Sequence, residues 1–198
     1  MNADDPGTAY IGRKIMGNIR YFGLEDPSLY MEKMEFATDS TFCPNCGTKL
    51  TYGGSYFSHL GKWACGTCDF RHPEVAITAS DVLSPLPGVY NIYNTLAAWL
   101  CGRTLGIDDE QINSSLSQMT AAFGRYEAIG YKTCQFRMIL SKNPTGMNES
   151  IRTVLSLHTS APIIFALNDR IPDGRDVSWI WDVDFETLDE GVNSIIAT

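Results

Sequence analysis

The chain has 198 residues, a net charge of −8, 44% hydrophobic residues and 19% charged ones, a normal globular composition sized for one large or two small domains. The acidic balance argues against general nucleic-acid binding, which needs a positive footprint, and no Lys/Arg run supplies a local one. No apolar stretch is long enough to span a membrane and no signal peptide opens the sequence, so the chain reads as cytoplasmic.

"MNADDPGTAY" places acidic turn chemistry at the start, followed by a helix or turn and a short strand around Ile19–Phe22. Residues 38–75 form a cysteine module. From residue 86 the pattern is helical: "GVYNIYNTLAAWLCGRTLGI" sets Ile92, Leu96, Trp99 and Leu100 on one face, with Gly102 and Gly106 marking the end. A second helix is expected over residues 108–122, with Asp108 as N-cap and Ile112, Leu116 and Met119 on its inner face. After "FGRYEAIG" the sequence reads as strand "CQFRMIL", loop "SKNPTGMNES", helix "ESIRTVLSLH" and strand "APIIFAL". That order predicts a parallel pair of strands, with "NDRIPDGRD" at the carboxyl edge where α/β sheets take ligands. The end, "DEGVNSIIAT", stops on an apolar run, and both termini look cut from something longer.

The cysteine module carries the strongest chemical signal. Cys43, Cys46, Cys65 and Cys68 are spaced C-x2-C-x18-C-x2-C, the pattern of a four-thiolate zinc site, and leave Cys101 and Cys134 apart. Two tight turns present two thiolates each, with Gly47 and Gly66 suited to the turns. Four thiolates leave no open position, so the metal's role is structural. Its binding would contribute roughly 10–16 kcal/mol to a piece too small for its own core. The rival is a dithiol redox centre, which the presence of two pairs together disfavours. His59 could replace a cysteine, but four sulfurs already suffice.

Other stretches have two readings each. Asn91 and Asn94 open a helix, where asparagine commonly caps; an amide can also read the edge of a base such as adenine. Arg125 and Glu127 make either a surface ion pair or, through Arg125, a phosphate contact. Lys142 and Asn143 stand in "KNPTG" between a strand and a helix, where a lysine and a helix N-terminus suit an anion. In "NDRIPDGRDVSWIWDVDFE", Asp169, Asp173, Asp176, Asp182, Asp184 and Glu186 surround Trp179 and Trp181. A β-turn explains "PDGRD"; a carboxylate orienting a histidine is the functional reading. His59, His72 and His158 are the three histidines, none is local, and the histidine in question would then belong to another chain. No G-x-x-x-x-G-K-[ST], G-x-S-x-G or H-E-x-x-H motif is present.

"NADDP", "YFG", "DSTFCPNCGTKLTY", "HLGKWACGTCDFRHP", "LPGVYNIYNTLAAW", "FGRYE", "LSKNPTGMNES" and "ALNDRIPDGRDVSWIWDVDFE", in this order, resemble the MurT-type Mur-ligase-like subunits of lipid II isoglutaminyl synthases. The resemblance runs nearly end to end. It implies an α/β chain in which residues 1–129 are part of a Mur-ligase middle domain, with a zinc ribbon inserted at 38–75. Residues 130–198 would begin a Rossmann-like C-terminal domain.

It further implies an ATP- and Mg2+-dependent ligase that activates the α-carboxylate of D-glutamate in lipid II through an acyl phosphate. Ammonia from a glutaminase partner subunit in a heterodimer would then give D-isoglutamine. Asn91 and Asn94 would meet the nucleotide, Arg125 would lie near the phosphates, and Lys142 and Asn143 would stand in a nucleotide-facing loop. An aspartate, Asp176 with Asp173 and Asp182 as fallbacks, would complete the partner's Cys–His pair.

The chain departs from the family in several ways. The N-terminal domain with its P-loop and the rest of the C-terminal domain are missing, the usual strand pair between Asp81 and Leu86 is reduced to "VLSP", and Asp69 replaces a knuckle glycine. The chain is therefore expected to be inactive by itself. Two other classes compete: a zinc-ribbon module binding protein or nucleic acid without catalysis, and a ligase of the folylpolyglutamate synthase type. The acidic balance and ligase-like flanks oppose the first; the ribbon and "KNPTG" oppose the second.

Overall fold

The computed structural model of the chain describes residues 1–35, 38, 40–121, 124–157, 161–170, 175–190 and 195–197. These fall into two compact units, Met1–Ala122 and Phe123–Thr198.

The first unit opens on helix α1, Pro6–Lys14. Asp5 caps it by accepting from the Gly7 N–H at 2.8 Å, Pro6 occupies the first helical position, and Arg13 and Lys14 lie in the last turn. A carboxylate at the positive end and cations at the negative end both favour the helix dipole. The strand expected around Ile19–Phe22 shrinks to Phe22, which bridges in parallel to Asn2 on one side and Ile77 on the other. Three short stretches of chain thus meet at one residue, a pairing that local sequence does not announce.

Strands β1, Leu50–Phe57, and β2, Leu60–Cys65, form an antiparallel hairpin with register shifts after Tyr52 and Ser55. Trp63 is fully buried, packs against Phe70 at 4.6 Å between ring centroids, and donates its indole N–H to the Ala3 carbonyl at 3.1 Å. With Ala9, Cys43, Leu50 and Cys65 these rings form one core cluster. A second cluster joins Leu24, Tyr56 and Ile77 to Tyr93, Leu96 and Leu100 of helix α2, Val89–Thr104. Ile92 and Trp99 pack at its margin, so the apolar face read from the sequence is the one that is buried. Helix α3, Asp109–Ser117, is capped by Asp108, which accepts from the Gln111 N–H at 2.9 Å, and buries Ile112 and Leu116. It ends at Ser117, short of the expected residue 122, and Met119 stays exposed beyond it.

The second unit begins with an antiparallel hairpin of β3, Arg125–Tyr131, and β4, Cys134–Ile139. The expected boundary after residue 129 falls inside β3. Helix α4, Pro144–Ser156, starts earlier than expected and takes in most of the presumed loop, because Asn143 caps it and Pro144 fills its first position. β5, Ile163–Phe165, pairs in parallel with β6, Ile195–Ala197. Among the described residues β4 does not pair with β5 as expected: its partner is the adjacent strand β3, antiparallel. Ile151 of α4 packs with Val183 and Leu188, and Phe165 meets Phe185 edge-on at 5.5 Å.

Candidate functional site

The cysteine site is built by the two ends of the β1–β2 hairpin. In the first turn the Cys43 N–H donates to the Thr48 carbonyl at 2.7 Å and the Gly47 N–H donates to the Cys43 carbonyl at 2.8 Å. Gly47 adopts φ 76°, a conformation costly for any residue with a Cβ. In the second turn the Cys65 N–H donates to the Phe70 carbonyl at 2.9 Å and the Thr67 N–H points at the Cys65 sulfur at 3.4 Å. Asp69, at the position where the resemblance led one to expect a glycine, is not among the described positive-φ residues. Its carboxylate instead pairs with Arg13 at 3.0 Å.

All four Sγ atoms lie within 4.8 Å of one another, with Cys43–Cys68 at 3.8 Å and Cys46–Cys65 at 3.5 Å. A disulfide would need about 2.05 Å, and all four cysteines are free thiols. Tetrahedral coordination with metal–sulfur bonds of about 2.3 Å, the zinc value, separates sulfurs by about 3.8 Å. The four cysteines therefore fit a metal ion. Without one, burial pushes the Cys43 thiol up to about 11, while Thr48 beside Cys46 brings that thiol down to about 6. Asn45 likewise lowers Cys68. His59 is not part of this group; its Nε2 lies 3.8 Å from Asp5 Oδ1.

Behind the ribbon is a buried polar node that sequence reasoning missed. Asp4, 1% exposed, accepts from the Tyr93 hydroxyl at 2.7 Å and the Leu24 N–H at 2.9 Å, and its other oxygen lies 2.7 Å from His72 Nε2. The Asp4 carbonyl accepts from the Gly61 N–H at 2.9 Å. A Cβ on Gly23 would sit 2.8 Å from Asp4 Oδ1, so only glycine leaves the carboxylate its place. His72 Nδ1 is buried, with Glu25 Oε1 3.9 Å away, and Glu25 pairs outward with Lys62. The signal was "NADDP", whose two aspartates look like turn residues until the fold brings histidines 59 and 72 to them.

The proposed nucleotide residues fall on both units. Asn91 and Asn94 lie inside the first turns of α2, whose N-cap is Gly88 at φ 97° without a side-chain cap bond. The capping reading of these asparagines therefore does not hold. Asn91 is buried and donates to the Pro87 carbonyl at 2.6 Å, while exposed Asn94 donates to Asn91 Oδ1 at 3.4 Å.

In the second unit Arg125 is exposed at the start of β3, beside a bulge where Tyr126 takes φ 65°. Glu127 accepts from the Gly124 N–H at 2.9 Å and forms no ion pair with Arg125. Lys142 is exposed, and Asn143 Oδ1 caps α4 through the Gly146 N–H at 2.7 Å. Asp176 is exposed and accepts from the Ser178 N–H at 2.9 Å; the Ser178 side chain, with this N–H, lowers its pKa. Asp182 is also exposed, whereas Asp184 is engaged with Asn148, which donates at 3.1 Å. Asp173 and His158 lie outside the described residues. No helix among the described residues is long and apolar enough to cross a membrane.

The fold is shared with part of a solved peptide ligase. A solved pseudomurein peptide ligase type C from Methanothermus fervidus superposes over 100% of this chain and 45% of its own, with a TM-score of 0.68 and 24% sequence identity. Residues 140–198 match the MurT ligase C-terminal family. The chain aligns at 31% identity over its whole length with the lipid II isoglutaminyl synthase (glutamine-hydrolyzing) subunit MurT of Staphylococcus aureus (strain COL), covering 48% of it. The subunit of that name from Streptococcus pneumoniae (strain ATCC BAA-255 / R6) is 30% identical over 95% of the chain and 45% of its own length. The chain is thus similar along its length to MurT subunits, and it spans about half the length of the curated relatives it matches.

Proposed function

We propose that this chain supplies the middle and C-terminal parts of an ATP-dependent amidotransferase-ligase subunit acting on lipid II. The observation that carries the reading is its end-to-end alignment with subunits of lipid II isoglutaminyl synthase. The α-carboxylate of the stem D-glutamate attacks the γ-phosphorus of ATP, giving an acyl phosphate and ADP. Ammonia then attacks the acyl carbon, phosphate leaves, and the proton lost from nitrogen passes to solvent, leaving D-isoglutamine. ATP, with Mg2+, is handled in the cytoplasm.

Asn94, exposed at the opening of α2, and Asn91 beside it offer amides to the nucleotide. Arg125 and Lys142 are exposed cations suited to phosphate. Asn143 contributes by holding α4 in place rather than by direct contact, since its carbonyl oxygen already caps the helix. Cys43, Cys46, Cys65 and Cys68 hold zinc, which braces the ribbon and has no open position for chemistry. A glutaminase partner supplies the ammonia, and Asp176 completes that partner's Cys–His pair. In support, its carboxylate is exposed and held below the usual carboxylate range by the Ser178 side chain and N–H. Asp182 shares the exposure, and Asp173 is the further candidate in the same segment.

The test reconstitutes the chain with the P-loop portion of a MurT-type subunit and a glutaminase, and follows ATP-dependent amidation of lipid II. Asp176→Asn should depress glutamine-dependent amidation at least tenfold while ammonia-dependent amidation persists. Equal loss of both would remove Asp176 from the glutaminase role. Failure to bind any glutaminase would defeat the proposal.

A further inference from the structure

We infer that the Asp4 carboxylate couples metal loading of the cysteine ribbon to the position of helix α2, with His72 and Tyr93 as positioning residues on either side. The path is short. After the second cysteine turn the chain returns beside β2: the Cys65 N–H donates to the Phe70 carbonyl at 2.9 Å, and the His72 N–H donates to the Trp63 carbonyl at 3.0 Å. Ala64 and Arg71 form the bridge between these two bonds. The turn that presents Cys65 and Cys68 therefore sets the register of the three residues that deliver His72.

His72 Nε2 meets Asp4 at 2.7 Å, and Asp4 receives the Tyr93 hydroxyl at 2.7 Å. The His72 and Asp4 side chains are 3% and 1% exposed, so water cannot readily substitute for either. A buried carboxylate with fixed donors has few alternative arrangements, and losing one donor leaves it under-satisfied. Tyr93 lies two residues from Asn91 and one from Asn94, so what holds Tyr93 holds the opening turns of α2.

Metal binding closes the cysteine turns and the Asp4 node closes the return strand. Each therefore favours the other, and coupling between two sites is reciprocal. The extension from α2 to the nucleotide rests on the role proposed above for Asn91 and Asn94. The coupling itself does not, because it is read without nucleotide.

The experiment measures Zn2+ affinity by chelator competition in the full chain, in Tyr93→Phe, and in Tyr56→Phe. Tyr56 lies in the same core cluster but its hydroxyl accepts from the Asp26 N–H at 3.2 Å. Tyr93→Phe should weaken Zn2+ binding by a factor in the range of about 5–150, with Tyr56→Phe close to the parent. Hydrogen exchange at the amides of residues 93–97 in the unmodified chain should speed up by a comparable factor when Zn2+ is removed. This second measurement decides the matter if Tyr93→Phe fails to fold.

Equal Zn2+ affinity in the parent and Tyr93→Phe, an equal loss in both variants, or exchange in α2 indifferent to Zn2+ would each overturn the coupling. If Asn94→Ala leaves binding of an ATP analogue unchanged in the reconstituted subunit while the Zn2+ coupling persists, only the nucleotide role falls.

Discussion

The ribbon of the first unit and the aspartate-rich segment of the second place their chemistry in opposite ways. Around the ribbon, Trp63, Phe70, Cys43 and Cys65 are buried, the sulfurs converge, and a buried carboxylate ties together residues 4, 24, 72 and 93. In the segment from Arg175 to Glu186, Asp176 and Asp182 stand in solvent and Trp181 is 87% exposed. A site that must hold a metal needs ligands prepositioned by packing, because bringing four thiolates together from a flexible chain costs ordering entropy. A side chain that serves a partner must instead remain accessible.

The largest effect expected from this contrast is on metal removal. With the zinc proposed above in place, a chelator should unfold the β1–β2 ribbon, since structural zinc contributes roughly 10–16 kcal/mol to zinc-finger peptides at neutral pH. The core of Ile151, Val183 and Leu188 in the second unit should stay protected in hydrogen exchange. Loss of protection in both units together would break the distinction.

Two tryptophan truncations sharpen it. Trp63→Ala should cost about 3–5 kcal/mol in denaturant unfolding, the range for a buried aromatic, with an added penalty from the orphaned Ala3 carbonyl. Trp181→Ala should stay within about 0.5 kcal/mol, as exposed substitutions do, and is expected to weaken association with a glutaminase more than it changes stability. Pull-down against the parent chain checks the second half.

Helix caps give smaller effects, one in each unit. Asp5→Ala and Asn143→Ala should each lower stability by about 1 kcal/mol, and Asn143→Asp should largely restore the second.

The remaining effect is that of pH. Although burial raises the Asp5 carboxyl, hydrogen bonds from His59, Thr8 and Gly7 outweigh it and bring the group down to about 2 from 3.8. Because the folded value is depressed, its stabilisation is present above pH 3.8 and is lost as pH falls toward 2. Asp5→Asn should flatten that part of the stability profile, read by thermal melts between pH 5 and 2.

Much of the ribbon was legible because its determinants are local. Two C-x-x-C pairs specify two turns, Gly47 specifies a positive φ, and the hairpin between them follows from alternation. The inner face of α2 was legible for the same reason, through Leu96 and Leu100. The misreadings occurred where local and distant partners compete. The strand–loop–helix–strand order of this unit suited a parallel pair, yet the two-residue turn at Lys132 and Thr133 pairs β4 with its neighbour β3. Asn91 and Asn94 looked like caps, but Gly88 supplies the left-handed entry and moves the helix start ahead of them.

From the sequence alone follow the pairing of the four cysteines, the helix-capping residue Asp108, and the order of motifs shared with MurT subunits. Tertiary structure decided what His59 and His72 do, how Phe22 bridges two distant segments, and that Asp4 is a buried junction rather than a turn residue. The physical reason is the range of the interactions. Turns, caps and metal-ligand spacing are set by neighbours within a few residues, whereas Asp4 meets His72 and Tyr93 across 68 and 89 positions of chain. Only the packed core brings those groups within hydrogen-bonding distance.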